Sequence, residues 1–513
     1  MLLLLLLVVV TGLTLVARRL GVPYPIVMVL GGLVLSLAPG LPAFQLPPDV
    51  VFDIFLPPLL FAAGFFTSMR DFKANLRPII LLAFGLVLFT TAVVGVVAQA
   101  LLPTLGWAGA FALGAIVAPP DAVSATSIFQ RIGVPRRIVT ILEGESLVND
   151  ATALVLYRFA VAAVAVGTFS ATEAGISFVT VLVGGVALGI VVGRVTEWLL
   201  ALVRDTAIDV TITLLAPFVA WLSAEILGVS GVLATVVVGL FARNAVRRAS
   251  SDARVVGDSA WQIVIFLLSG LVFVLIGLQL PRVLLGLQTA PDRMALITAA
   301  IMVAVVVSRI VWVFPATYLP RWISPKLRRR DPSPPWQAVF VISWSGLRGV
   351  VSLAAALALP IGFPERDLIL FLVFVVILGT LVGQGLTLPL VIRALGVAPD
   401  TDVAHDEVHA RSLTGEAALS RIEELRADWP GHRELIDQLR DRYAHRARHD
   451  EAHHADEPGA AEQELLEHKT IRRAVIDAER RAALDLYERG VISEEVLRRI
   501  ERDPDLEELR MEA

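Results

Sequence analysis

Cysteine is absent from the 513 residues, which excludes disulfide staples, thiolate-held zinc or iron–sulfur groups, and thiol redox chemistry. Histidine is missing before His405, and all eight lie between there and His468. Charged residues make up only 18% of the chain, against about 25% in a soluble domain. The net charge of -4 lacks the strongly basic footprint that nucleic acid requires. What is plentiful is apolar: 56% of residues are hydrophobic and the mean hydropathy is +0.73. That composition suits a lipid bilayer as solvent. The charge is also unevenly spread, with a basic excess before residue 396 and a marked acidic excess after it. A membrane domain over 1–395 and a soluble acidic tail over 396–513 are expected. Because no histidine precedes the tail, proton chemistry inside the membrane has to run on carboxylates.

A spanning helix needs roughly 20 mainly apolar residues, and by that test the chain offers about thirteen, from 2–17 to 367–394. They include 106–129, 138–165 and 335–361. The opening run MLLLLLLVVVTGLTLVARR has its arginines after the apolar stretch rather than before it, so it reads as a spanning helix and not a signal peptide. Loops after odd-numbered helices carry most of the basic residues, such as Arg70, Lys73, Arg136, Arg137, Arg243 and Arg328. The alternate loops carry only Arg282, Arg293 and Arg366. Positive loops stay in the cytoplasm, which predicts an outside N-terminus and a cytoplasmic tail.

Charges inside spanning segments are costly and mark function by default. They gather in three helices: Asp121 in APPDAVSATSI, then Glu143, Glu145, Asp150 and Arg158 in LEGESLVNDATALVLYR, then Arg348 in ISWSGLRGVVSLAAALALP. Helical spacing puts Ser146, Asn149 and Asp150 on one stripe, one carboxylate among neutral oxygens, which suits a hard monovalent cation. Pro119 and Pro120 should break the helix just before Asp121, and Gly346 and Gly349 interrupt a second helix around Arg348. Two broken segments, one in each half, form the pattern of an inverted-repeat transporter, whose ion sites lie at such breaks. Glu143, Glu225, Arg158 and Arg309 read as structural or interfacial pairs.

GESLVND followed by ATALVLY, with PPDAV upstream, LPPLLFAAGF early, SAEILGVSGVLA in the middle and SGLRGVVSLAAAL near the end, resembles the monovalent cation:proton antiporters. The likeness is to sodium/proton exchangers with an Asn-Asp pair, over roughly residues 1–395. It implies an all-α polytopic membrane protein of the inverted-repeat antiporter fold with two discontinuous helices, followed by a helical tail. It further implies that Asp150 binds Na+ and H+ in turn, that Ser146 and Asp121 complete the Na+ site, and that Asn149 stands where electrogenic relatives have a second Asp. The family's Thr before that Asp is replaced here by Pro120, leaving only its carbonyl for the part, and Ala122 replaces the family's Pro. Glu145 and Arg348 match a pair formed across two helices. A homodimer in the plasma (inner) membrane is implied as well, with no cofactor and no enzymatic activity.

One carboxylate shared by a proton and a cation gives one-for-one, electroneutral exchange. The absence of Lys from every predicted helix agrees, since Lys73 and Lys326 fall in loops. A K+ or Li+ substrate in the same fold is the alternative, and a cation channel or membrane sensor is a third reading, disfavoured by the lack of a TVGYG-like filter. The tail shows helical periodicity in SLTGEAALSRIEELRADW and reads as a regulatory or dimerising module. His405 and His409 lie one turn apart without the HExxH signature; a solvated face fits them better than a metal site, and the clustered histidines admit a pH sensor.

Overall fold

The computed structural model describes residues 2–37, 50–166, 171–203, 205–247, 251–285, 291–397, 401–452, 458–489, 491–493, 496, 497 and 500. Among them the regular structure is helical throughout, with no strand. The chain forms two compact units, Met1–Pro399 and Asp400–Ala513.

In the first unit the helices follow the apolar runs: α1 Leu2–Leu20, α2 Tyr24–Ser36, α3 Leu56–Phe66, α4 Val87–Leu101, α5 Gly106–Val117, α6 Ala122–Ile132, α7 Arg136–Val166 and α8 Ala171–Leu202. Then come α9 Thr206–Leu227, α10 Gly231–Val246, α11 Ser251–Leu285, α12 Pro291–Ile323, α13 Trp336–Trp344, α14 Val350–Leu357, α15 Arg366–Gly379 and α16 Gly385–Ala394. Eight stretches of the described residues are long and apolar enough to cross a membrane, and Tyr24–Ser36, Val51–Phe66 and Gly231–Val246 are shorter apolar helices. These do not add up to the thirteen expected spans; of the other described segments, Leu2–Leu20 is one unbroken helix, and 336–357 divides into two helices, each too short to cross alone.

Local chemistry sets the ends. Ser230 accepts from the Leu233 amide at the start of α10, and Asp205 accepts from the Ala207 and Ile208 amides at the start of α9, each satisfying orphan donors of a first turn. Gly228 ends α9 in the left-handed conformation, with φ of 67°.

The helices sort into two bundles. One combines α1, α2, α3 and α8 to α11, and the other combines α4 to α7 with α12 to α16. In the second bundle, two runs of helices each have a broken middle member: α4, α5/α6, α7 and α12, α13/α14, α15/α16. The first bundle is sealed by close backbone approach at small residues. At the α2/α11 crossing a methyl added at Gly32 would collide with the Val274 carbonyl oxygen, and one at Gly277 with that of Val29. Backbone cannot yield as a side-chain tip can, so Gly277→Ala should lower stability by about 1–3 kcal/mol, seen as a lower thermal midpoint in detergent.

At one end of the second bundle, Asp331 gathers three arginines. Arg137 and Arg321 each approach its carboxylate at 2.7 Å and Arg77 at 3.4 Å. Partial burial opposes ionisation of Asp331, but the hydrogen bond and charge of Arg137, with the charges of Arg321 and Arg77, outweigh it and hold the carboxyl below its ordinary range. A depressed folded value stabilises the fold above the unfolded value of about 3.9, and this contribution is lost as pH falls through the folded one. Asp331→Asn should therefore lower the thermal midpoint at neutral pH, and its gap from the parent should close in acid, below about pH 4.

The second unit contains α17 Thr401–Asp428, α18 Arg433–Ala452 and α19 Pro458–Glu488. Ile422 and Ile436 are buried where α17 meets α18, and Arg426 reaches Asp437 at 3.4 Å. The side chains of His405 and His409 lie outside the described residues.

Candidate functional site

The double proline ends α5 at Val117, and the chain resumes as α6 at Ala122. Such a break leaves the last carbonyls of one half-helix and the first amides of the next without partners. Asp121 serves the amides: its Oδ1 accepts from the Val123 amide at 3.0 Å and its Oδ2 from the Ser124 hydroxyl at 2.6 Å. Arg348 serves the carbonyls, donating from Nε to Val117 at 2.9 Å and from Nη2 to Ala118 at 3.3 Å, while its Nη1 donates to Gly346. A cation at a helix C-terminus also opposes the negative end of the dipole.

Arg348 itself sits in the second break, between α13 and α14, so the two interruptions cross. The Asp121 amide donates to the Leu347 carbonyl at 2.7 Å, and the Arg348 amide to the Thr380 hydroxyl at 3.1 Å. Contact at the crossing is close enough that a Cβ on Gly349 would lie 2.7 Å from Asp121 Oδ2. Only glycine lets the second break rest against that carboxylate.

The middle of α7 faces this crossing. Glu145 and Asn149, four residues apart, are both fully buried. The expected pairing of Glu145 with Arg348 does not form. Glu145 is taken bidentately by Arg309 of α12, at 2.6 and 2.8 Å. Arg348 spends its guanidinium on three carbonyls, whereas Arg309 comes from an unbroken helix and also donates to the Ile342 carbonyl at 3.2 Å. Arg309 had been legible only as a buried charge in need of some partner. Elsewhere, Arg158 pairs with Glu225 at 2.9 Å, and Asp53 accepts from the Trp221 indole at 3.1 Å.

Asn149 donates to the Pro120 carbonyl at 3.3 Å, while its own Oδ1 has no partner. The Pro120 carbonyl thus already accepts one hydrogen bond and keeps a second lone pair. Pro120, Asp121, Ser146 and Asp150 all line one cavity of about 70 Å³, room for a few water-sized occupants. Ser352 and Gly349 close it from the second break, and Leu56, Leu60 and Phe273 come from the other bundle. Asn149 braces the break from the side rather than lining the space. The cavity lies on the seam between the two bundles. Among the described residues, no basic side chain forms an ion pair with Asp121 or Asp150. A carboxylate buried like Asp150 without a cationic partner is costly, and a mobile cation or a proton can neutralise it.

Comparison with known proteins bears on this arrangement. The family model described as "Sodium/hydrogen exchanger, transmembrane" matches residues 4–394. An uncharacterized Na+/H+ exchanger of Mycobacterium tuberculosis is 33% identical, over 97% of this chain and 93% of its own. The sodium, potassium, lithium and rubidium/H+ antiporter of Bacillus subtilis is 36% identical, over 72% of this chain and 58% of its own. Among solved structures, the sodium proton antiporter MjNhaP1 of Methanocaldococcus jannaschii shares the fold, with a TM-score of 0.59 at 19% identity, covering 77% of this chain and 97% of that one. With the family model spanning the whole helical membrane part and its broken-helix crossing, the chain belongs to the sodium/hydrogen exchanger family: a multi-pass membrane transporter for cation/proton antiport, and not an enzyme.

Proposed function

We propose that the protein exchanges one Na+ for one H+, electroneutrally and by alternating access, with Asp150 as the carboxylate that carries either ion. The observation that carries this reading is Asp150 itself, buried without a basic partner among the described residues, in a small cavity with Ser146 and Asp121, on the seam between two bundles. Movement of one bundle against the other would open that seam to one side and then the other. The empty, ionised site is the form that moves least readily, because a bare charge in a low dielectric is expensive, whereas Na+ or H+ on Asp150 removes one charge and gives the two loaded sites the same charge. That asymmetry couples the two ions. Asn149 supports the 1:1 ratio by offering an amide next to Asp150 where a second carboxylate would add a charge.

Lys73 and Lys326 both lie in short helices outside the main ones, within Met69–Ala74 and Pro325–Arg330, so neither supplies a second titrating partner beside Asp150. Na+ binds at Asp150, Ser146 and Asp121 in this reading, with the N-terminus outside and the acidic tail acting as a cytoplasmic regulatory or dimerising module. A second reading, K+ or another monovalent cation in place of Na+, is supported by the Bacillus subtilis relative, whose name spans sodium, potassium, lithium and rubidium.

The test is dissipation of an imposed pH gradient in proteoliposomes by Na+, Li+ or K+, with and without a voltage clamp. Voltage-independent proton movement driven by Na+ is expected. Proton movement driven by K+ alone would give the second reading. Uncoupled ion flux would return the channel reading to the front.

A further inference from the structure

We propose that Ser352 is a ligand of the transported cation and helps set which cation is taken, an inference that rests on antiport at Asp150 as argued above. Among the described residues, the buried hydroxyls left without a hydrogen-bond partner belong to Thr91, Thr235, Thr298 and Ser352. Of these, Ser352 alone lines the cavity that holds Asp121, Ser146 and Asp150. Its residue is 2% exposed, so bulk water does not satisfy the hydroxyl.

The cause is its place in the helix. A buried serine inside a helix ordinarily bonds back to the carbonyl four residues earlier. Ser343 does so to Val339 at 2.8 Å and Ser345 to Val341 at 2.6 Å, within and just after α13. Ser352 stands in the first turn of α14, and the residue four before it is Arg348, inside the break. The Arg348 carbonyl lies outside the helix, and the Ser352 hydroxyl bonds neither to it nor to the Gly349 carbonyl, which takes the Leu353 amide at 3.4 Å. The break therefore leaves this hydroxyl without its usual acceptor, on a residue that lines the ion cavity.

A hydroxyl oxygen suits a hard monovalent cation, and it adds no charge. The site loaded with a cation thus keeps the charge that it has when loaded with a proton, as the 1:1 reading needs. A proton on Asp150 needs no such distant ligand, so Ser352 strengthens cation binding without strengthening proton binding. Together with Ser146 on α7, it would hold the ion between the two repeats, one hydroxyl coming from the helix after the first break and the other from within the second broken helix.

The experiment compares the parent protein with Ser352→Ala, Ser352→Cys and Ser352→Thr in proteoliposomes, with Asp150→Asn as control. Cation-dependent rise of the thermal midpoint in detergent gives a binding readout that needs no turnover. Losing one ligand oxygen should raise the apparent KM for Na+ about tenfold in the alanine variant, the equivalent of about 1.4 kcal/mol, with the maximal rate within about twofold. At subsaturating Na+, its pH profile should move to higher pH, because protons then compete better. Cysteine keeps the volume but replaces a hard oxygen by soft sulfur and should weaken Na+ binding as alanine does. Threonine keeps the hydroxyl and should restore the parental KM.

Parental KM and Na+-dependent midpoint shifts in both the alanine and cysteine variants would overturn the proposal. So would a loss of maximal rate at unchanged KM in all three, which marks packing alone. If the parent protein exchanges no cation for protons and Asp150→Asn changes nothing, the failure lies instead with the antiport reading.

Discussion

Asp150→Asn is expected to reduce cation-driven proton movement to the level of protein-free liposomes, while leaving a folded, monodisperse protein. Asparagine matches aspartate in shape but carries neither a proton nor a charge in the working range, so it removes the exchanged group and nothing else. Asp150 is 7% exposed and has no basic ion-pair partner among the described residues. Neutralising an unpaired buried carboxylate relieves a desolvation cost, so the thermal midpoint should hold or rise even as transport vanishes. This combination separates a transport group from a structural one. The fluorescence of a trapped pH dye after a Na+ pulse measures the first property, and thermal unfolding in detergent the second. A substitution that left proton movement at the parental rate would remove Asp150 from the mechanism.

The largest stability effect is expected at Glu145 and Arg309. Both are buried, at 0% and 1% exposure, and the bidentate contact between them joins α7 to α12. Removing one partner strands the other charge in the membrane interior, at a cost of about 3–5 kcal/mol. Arg309→Met and Glu145→Met should each lower the thermal midpoint sharply and reduce the yield of folded protein. The double substitution should recover much of the loss, because two apolar side chains of similar volume leave no uncompensated charge. Additive effects in the double variant would mean that the two residues do not stabilise each other. Arg309→Met should remain worse than Glu145→Met, since Arg309 also holds the Ile342 carbonyl near the end of α13. By contrast, Glu145→Gln keeps the shape and one acceptor, and should cost less than Glu145→Met.

The linear chain made much of this molecule legible. Apolar runs separated by basic loops give helices in lipid, because the backbone must satisfy itself where water is absent. Pro119 and Pro120 end α5 for a reason local to their own rings. The glycines around Arg348 end α13 in the same local sense. Helical spacing was enough to put Ser146 and Asp150 close together on α7. These features depend on neighbours within a turn or two, and the sequence states such neighbours directly.

Partnership across the fold was decided elsewhere. Glu145 and Arg309 are 164 residues apart, and no periodicity connects them. Which arginine meets that carboxylate depends on how α12 lies against α7, and on the carbonyls at the end of α5 having already claimed Arg348. The bond from Asn149 to the Pro120 carbonyl has the same origin, as does the seating of Gly349 on Asp121. Ser352 looked like any serine in a helix until the break placed it in a first turn, where its hydroxyl finds no acceptor. Composition and local sterics thus determined a helical membrane transporter with two interrupted helices and a carboxylate fit for an ion. Only the tertiary packing chose the partners of each buried charge and enclosed the cavity, because desolvated charges and hydroxyls are satisfied by whatever the crossing of distant helices brings within hydrogen-bonding reach.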